Sequence, residues 1–274
     1  MKSKFLATAS IAAALGVSTI ALAQQPPAVT PMTPEMNPTY SFTRPEADYI
    51  RKEVMIPMRD GTKLFTVIAM KKGAKNAPIL LTRTVYNAGR ATSRMPSQRL
   101  VDILPVMDAE FVNDGYIRVY QDARGRNKSE GEFVMNRPII GALNKTNVDE
   151  STDAYDTIDW LVKNVPETNG NVGITGSSYL GFTSLVATIN PHPALKASVP
   201  RSPMVDGWMG DDWFHNGAFR MPNLFYYASQ TTARGNGESV ATGVYDDYEG
   251  YLRAGSVGGL AKQLGVDQLP YVKK

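Results

Sequence analysis

Asn171-Val172-Gly173-Ile174-Thr175-Gly176-Ser177-Ser178-Tyr179-Leu180-Gly181 runs from a short apolar strand pattern into a helix-like stretch, Phe182 to Ile189. A strand that turns directly into a helix around a glycine-flanked serine lifts that hydroxyl above the sheet, the geometry of a nucleophile elbow. The glycines are expected because side chains at Gly176 and Gly181 would collide with the neighbouring strand or helix. Their spacing favours Ser178 over Ser177 as the nucleophile. A glycine-flanked serine is common by chance, so the weight rests on the strand before it and the helix after it.

The same alternation of strand and helix continues on either side. Arg51 to Pro57 alternates charged and apolar residues, Arg59-Asp60-Gly61-Thr62 is a turn, and Lys63 to Met70 resumes the alternation, which predicts a hairpin. Pro78 to Thr82 reads as a strand buried on both faces, and Tyr116 to Tyr120 as the next one. Between them Arg99 to Phe111 has helical spacing that Pro105 should interrupt. Asp149 to Asn164 is the best helix, with Asp149, Glu150 and Asp153 at its positive end, Ala154, Ile158, Leu161 and Val162 as its buried stripe, and Pro166 as its stop. Ala194 to Val199 is a further short strand. Strands alternating with helices call for an α/β fold with a mostly parallel sheet. From Asp206 onward the texture is Trp, Asp, Asn, Tyr and Gly with no strand alternation, which sets a boundary near Ser202-Pro203.

At the start of the chain, Lys2 and Lys4 precede an apolar, Ala-rich run from Phe5 to Leu22, and Ala21-Leu22-Ala23 is a small-residue cleavage site. Residues 1–23 therefore read as a signal peptide, and 24–45, rich in Pro, Thr and Gln, as an extended leader. Cleavage removes two lysines from a formal charge of +3, so the mature chain is close to neutral. No basic tract is present to neutralise phosphates, which argues against nucleic acid, and after signal removal no membrane association is expected. There is no cysteine, which suits a bacterial periplasm or secretion without disulfides. Two histidines and no cysteine make a zinc site improbable. The chemistry calls for no metal and no cofactor.

The residue after a nucleophile normally offers its backbone N–H to the developing oxyanion, which makes Tyr179 functional through its main chain and leaves its ring free to line a pocket. The second donor should come from the loop after the third strand, Thr82-Arg83-Thr84-Val85-Tyr86-Asn87. There the Tyr86 hydroxyl is either an oxyanion donor or a packed loop tyrosine. Asp122, Arg124 and Arg126 read as an ion-pair network fixing a loop near the elbow. Trp208, Trp213, Phe214, Tyr226 and Tyr227 suit either an acyl pocket or the core.

Several of these segments carry a family resemblance. Arg83-Thr84-Val85-Tyr86-Asn87 resembles the oxyanion-tyrosine loop of the superfamily of Xaa-Pro dipeptidyl peptidases, cocaine esterases and α-amino-acid ester hydrolases. Gln121-Asp122-Ala123-Arg124-Gly125-Arg126 with Ser129-Glu130-Gly131-Glu132-Phe133 resembles its loop after the fourth strand, and Asp153 to Leu161 the helix before the elbow. Gly176 to Gly181 matches its Gly-x-Ser-Tyr-x-Gly elbow. Ser202 to His215 is similar specifically to the α-amino-acid ester hydrolases, or glutaryl-cephalosporanic-acid acylases. The likeness runs from about Tyr49 to Tyr271.

The resemblance implies an α/β-hydrolase fold, covered here by residues 46–203, followed by the beginning of a helical cap domain in 204–274. It implies Ser178 as nucleophile, with the Tyr86 hydroxyl and the Tyr179 amide as oxyanion hole. It also implies Asp212 in a carboxylate cluster holding the substrate's α-ammonium, with adjacent Asp211 able to exchange roles. Paired aspartates before an aromatic run also suit a helix cap. The substrate is then a small ester or amide of an α-amino acid, β-lactam acyl groups included. The alternatives are Xaa-Pro dipeptidyl peptidase, general carboxylesterase, or a non-catalytic remnant. The family's triad order is Ser, acid, His. His192, in Asn190-Pro191-His192-Pro193, closes the helix that begins at Ser178, and His215 falls in the cap. The resemblance places the acid and the base beyond Lys274. The expectation is a front portion of a larger, truncated hydrolase, with little turnover alone, an exposed sheet edge, and either homo-oligomers or a complementing C-terminal chain as partner.

Overall fold

The computed structural model describes residues 46–206, 209, 214–220 and 245–268, all within the compact unit Pro45–Lys274. The signal segment 1–23 and the leader 24–45 lie outside the described residues. Six strands form one sheet in the order β1-β2-β4-β3-β5-β6. They are β1 (Tyr49–Pro57), β2 (Lys63–Lys71), β3 (Ala77–Thr84), β4 (Ile117–Asp122), β5 (Thr168–Ser177) and β6 (Leu195–Arg201). The first two form the expected hairpin, and β2 pairs antiparallel with β4. From β4 through β3 and β5 to β6 every pairing is parallel. Order and direction are those of an α/β-hydrolase sheet.

Period-2 alternation sends β2 to two cores at once. Leu64, Ile68 and Met70 join Ile79, Leu81, Ile117, Val119, Val172 and Ile174 against α4 (Glu150–Asn164), which contributes Ala154, Ile158 and Leu161. Phe65, Val67 and Ala69 face the other way, onto Ala88, Leu100, Ile103 and Val112 from the short helices α1 (Ala88–Ala91), α2 (Leu100–Ile103) and α3 (Ala109–Asn113). Pro105 interrupts the helical spacing as expected, with only a single tight turn, Val106–Asp108, between α2 and α3. Val162 is only partly buried on the edge of the first core.

Asp149 caps α4 reciprocally. Its carboxylate accepts from the Ser151 and Thr152 amides, each at 2.9 Å, while its own amide donates to Thr152 Oγ1 at 2.9 Å. Burial acts to raise the Asp149 pKa, but the hydrogen bonds from Ser151, Ile140 and Thr152 outweigh it and hold the carboxyl below its ordinary range.

After β6 the texture hid a small ribbon, Phe214–His215 paired with Ala218–Phe219. Its signal was present as Asn216-Gly217, both at positive φ (48° and 82°), the turn chemistry of a two-residue hairpin. The helices Asp247–Ala254 and Val257–Gln263 follow, with Tyr251 and Leu260 in a small cluster of their own.

A chain of buried charges ties α4 to the hairpin turn and to β3. Arg124 grips Asp153 in bidentate fashion (2.6 and 3.0 Å) and reaches Asp60 at 2.7 Å. On the other side of Asp153, Arg83 lies 3.6 Å away, 2.8 Å from the Glu150 carboxylate, and donates to the Glu150 carbonyl at 2.7 Å. Arg83 Nη2 and Glu150 Oε2 have no aligned hydrogen bond, so attraction there is Coulombic. Burial raises the Glu150 pKa, against the opposing pull of Arg83. Removing the central carboxylate takes the shared partner from two buried guanidinium groups and leaves Arg124 only Asp60 and Arg83 only Glu150 as carboxylate partners. Asp153→Ala is expected to lose about 3–5 kcal/mol of stability, measured as the shift in a urea unfolding midpoint. A loss within experimental error would mean that the chain of charges contributes nothing.

Candidate active site

Parallel neighbours deliver their loops to one edge of a sheet. In the β3/β5 pairing Leu81 lies opposite Ile174. Three residues later β3 ends at Thr84 and β5 at Ser177. Ser178 follows by one residue and Tyr86 by two, from strands about 4.8 Å apart. The carboxyl ends of these strands therefore bring the two sequence-predicted positions to the same edge.

At Ser178 the backbone stands at φ 60°, ψ −122°, between the last residue of β5 and the first of α5 (Tyr179–Val186). This is a strained conformation for a residue with a Cβ. It is held by its surroundings: the Ser178 amide donates to the Arg201 carbonyl at 3.0 Å, and its carbonyl accepts from Phe182 and Met204 at 3.0 and 3.3 Å. Both glycines are sterically required. A Cβ on Gly176 would lie 2.3 Å from the Leu180 Cβ, and one on Gly181 2.4 Å from the Arg201 carbonyl oxygen. Ser177, still in the strand, has none of this strain.

Tyr179 opens α5, so its amide has no carbonyl one turn earlier within the helix. Its ring corrects the expectation of a pocket wall. The ring is fully buried between Phe133 and Phe182, with Val85 and Met204 in the same cluster, and its hydroxyl accepts from the Asn136 amide at 3.2 Å. The helix must bury one face, and χ directions in its first turn carry that ring into the core. Phe214 packs at the edge of the same cluster.

The Tyr86 side chain is exposed, while the backbone on both sides of it is fixed. The Tyr86 amide donates to Thr84 Oγ1 at 2.9 Å. The preceding carbonyl, of Val85, accepts from Arg126 Nε and Nη2 at 3.3 and 3.2 Å and from Asn127 Nδ2 at 3.4 Å. Two residues on, the Ala88 amide donates to Asp122 Oδ1 at 2.7 Å, and Asn127 Nδ2 reaches that same oxygen at 3.1 Å. Of the expected ion-pair trio, Arg124 pairs closely with the carboxylates of Asp60 and Asp153, while Arg126 and Asp122 attract each other without a close ion pair. Asp122 instead collects amides, because a buried carboxylate at a strand end meets unpaired N–H groups first. Burial raises its pKa, opposed by the Ala88 and Lys128 amides and Asn127. Burial lowers that of Arg126, whose charge lies near Tyr179 and Tyr86. Thr84 and Asn127 were not singled out in the sequence. The available signal was their type, short polar side chains at a strand end and in a turn.

His192 lies at the other end of the sheet. In the β5/β6 pairing Leu195 is opposite Val172 and Arg201 opposite Ser177. Six residues at about 3.3 Å each put roughly 20 Å between those ends. His192 sits three residues before Leu195. Its Nδ1 accepts from the Ala194 amide at 3.1 Å, its Nε2 faces Asp159 at 3.4 Å, and its ring meets that of Tyr155 edge-on. His215 is exposed in the small ribbon. Among the described residues no imidazole is hydrogen-bonded to the Ser178 hydroxyl, and no group of three or more His, Asp or Glu could hold a metal ion. Asp211 and Asp212, with Trp208, Trp213, Tyr226 and Tyr227, lie outside the described residues. Of two clefts, the larger, about 820 Å³, is lined by Asn87, Gly89 and Lys128 beside the Tyr86 loop, and the other is about 460 Å³; neither is lined by Ser178, Tyr86 or Tyr179.

Comparison with known proteins identifies the family and agrees with the fold. The sequence model of the X-Pro dipeptidyl-peptidase (S15) family matches residues 60–271. The cocaine esterase of Rhodococcus sp. (strain MB1 Bresler) is 32% identical over 182 residues, which are 66% of this chain and 28% of the esterase. The solved structure of an alpha-amino acid ester hydrolase is 57% identical with a TM-score of 0.81, over 88% of this chain and 39% of that one. An aminopeptidase from the marine sediment archaeon Thaumarchaeota archaeon is 51% identical at the same TM-score, over 87% and 39%. The chain thus spans little more than a quarter of the esterase and about two fifths of the two solved chains.

The strain at Ser178 can be measured directly. Ser178→Gly, which removes the Cβ, is expected to be more stable than Ser178→Ala by about 1–3 kcal/mol in urea unfolding. Equal midpoints for the two variants would show that the turn is unstrained. Gly181→Ala should fail to accumulate as folded protein.

Proposed function

Since the chain belongs to the X-Pro dipeptidyl-peptidase (S15) family, we propose that it is a serine hydrolase cleaving esters or amides of α-amino acids through an acyl-serine intermediate. The observation that carries this reading is the strained backbone of Ser178 at the carboxyl edge of β5, flanked by two sterically obligatory glycines. Strain maintained by a surrounding fold is typical of a functional position. Two solved relatives, one named an alpha-amino acid ester hydrolase and the other an aminopeptidase, share a scissile carbonyl on an α-amino acid. That favours this substrate class over general carboxylesters. β-Lactam acyl groups of the same type fall within it.

In this mechanism Ser178 Oγ attacks the carbonyl carbon as its proton passes to a base. The carbonyl oxygen becomes an oxyanion, met by the Tyr179 N–H and the Tyr86 hydroxyl. One such donor in a water-poor site is worth about 3–4 kcal/mol. Collapse expels the alcohol or amine, which takes the proton from the base, and water or an acceptor amine then releases the acyl group. Asp212 pairs with the substrate's α-ammonium through a charge-assisted hydrogen bond, and so discriminates against acylated amines. The base is not His192, whose place near the start of β6 keeps it from Ser178. The protein is exported, with residues 1–23 removed.

The test uses the protein as its own cell produces it, with an α-amino-acid ester as substrate. Ser178→Ala should abolish turnover, a loss on the order of a million-fold, while His192→Ala leaves it within about twofold. Asp212→Asn should remove the preference for a free α-amino group over its acetylated counterpart. Turnover that survives Ser178→Ala sinks the proposal, and turnover lost in His192→Ala reassigns the base.

A further inference from the structure

We propose that the turn after β4 positions the Tyr86 hydroxyl for its oxyanion, with Asn127 and Asp122 gripping the loop from below and Thr84 from within. This inference rests on Tyr86 being an oxyanion donor. Asn127 Nδ2 is shared between the Val85 carbonyl, just before Tyr86, and Asp122 Oδ1, which in turn holds the Ala88 amide, two residues after it. A single amide group therefore connects both flanks of the tyrosine. Val85 and Ala88 are fully buried, as is Asp122, so these two anchor points are rigid while Tyr86 between them is exposed. Between the anchors Asn87 takes φ 78°, a left-handed conformation, and its side chain accepts from the Arg90 amide at 2.9 Å. That conformation costs free energy unless neighbours enforce it.

Other roles account for the cluster less well. Arg83, Arg124, Asp153 and Glu150 already tie β3, α4 and the hairpin turn together. Asp122 makes no ion pair within 4 Å among the described residues, Arg126 attracting it from further off. Its contacts go to the Ala88 and Lys128 amides and to Asn127. Arg126, also on the Val85 carbonyl, brings a buried positive charge to the same loop. Thr84 adds a contact to the Tyr86 amide itself. The bonds of Thr84, Asp122, Arg126 and Asn127 end on the four-residue stretch from Val85 to Ala88 or on the turn that holds it. A donor misplaced by about 1 Å can cost up to a hundredfold in rate, so such a grip bears on the reaction and not only on stability.

A double-mutant cycle in the protein as its own cell produces it separates positioning from support. The readout is the second-order rate at which a fluorophosphonate modifies Ser178, followed by mass spectrometry, because its phosphoryl oxygen occupies the oxyanion position. Tyr86→Phe should slow the reaction about a hundredfold or more. Asn127→Gly, which keeps the left-handed backbone accessible, and the near-isosteric Thr84→Val should each slow it about tenfold with tyrosine present. With phenylalanine at 86 the same changes should cost less than about twofold. With an ester substrate, the loss should appear in kcat and leave KM unchanged. Equal factors in both backgrounds overturn the positioning role. A rate untouched by Tyr86→Phe sinks the oxyanion reading and the positioning role with it. If Ser178 is unmodified in the unaltered protein, the nucleophile assignment itself fails. Thr84→Val decides alone if Asn127→Gly does not fold.

Discussion

Within one residue the chain must pass from β5 into α5, and Ser178 takes that reversal at φ 60°. The helix can start there only if its first turn nearly touches both the strand it leaves and the strand beside it. Gly176 is the first point of contact, against Leu180, and Gly181 the second, against the Arg201 carbonyl. Arg201 in turn ends β6 and accepts the Ser178 amide. Elbow, helix and neighbouring strand are thus one mutually dependent unit. Sheet order follows from the same closeness, since only a parallel β6 ends where its last carbonyl meets the turn.

Beside that unit, with its apolar cluster, the fold also buries a band of polar and charged side chains. Arg83 is wholly buried in β3, between Gln121 and the first turn of α4. Buried ion pairs of this kind contribute little net stability compared with apolar replacements, yet breaking one is costly. Their effect is to make the register specific. Arg83 fits only where α4 presents Glu150 and Asp153, and Arg124 only where the hairpin turn presents Asp60. A slip of β3 by one residue would turn a guanidinium into the apolar core. The loop carrying Tyr86 leaves β3 one residue after Arg83, at Thr84, so it inherits that register.

Much of this was legible in order along the chain. Strands β1 to β6, the Pro105 break, the Asp149 cap and the elbow glycines all follow from local chemistry: alternation, proline's fixed φ, side-chain capping and the absence of a Cβ. The ribbon at Phe214–His215 was missed although Asn216-Gly217 announced it, because two-residue strands carry no alternation to detect. The resemblance to the S15 family rested on the same local segments, and the family match covers them.

Residue chemistry and spacing by themselves determined where the chain bends, which serine the bend carries, and that strands and helices alternate. Each depends on interactions within a few residues, which a linear pattern records. Tertiary structure alone decided that the Tyr179 ring is core, that Asp122 holds amides while Arg124 takes Asp60 and Asp153, and that His192 belongs to the far end of the sheet. Those outcomes depend on which side chains a shared register brings within reach across long stretches of sequence, 29 positions for Arg124 and Asp153, and no local pattern encodes that proximity.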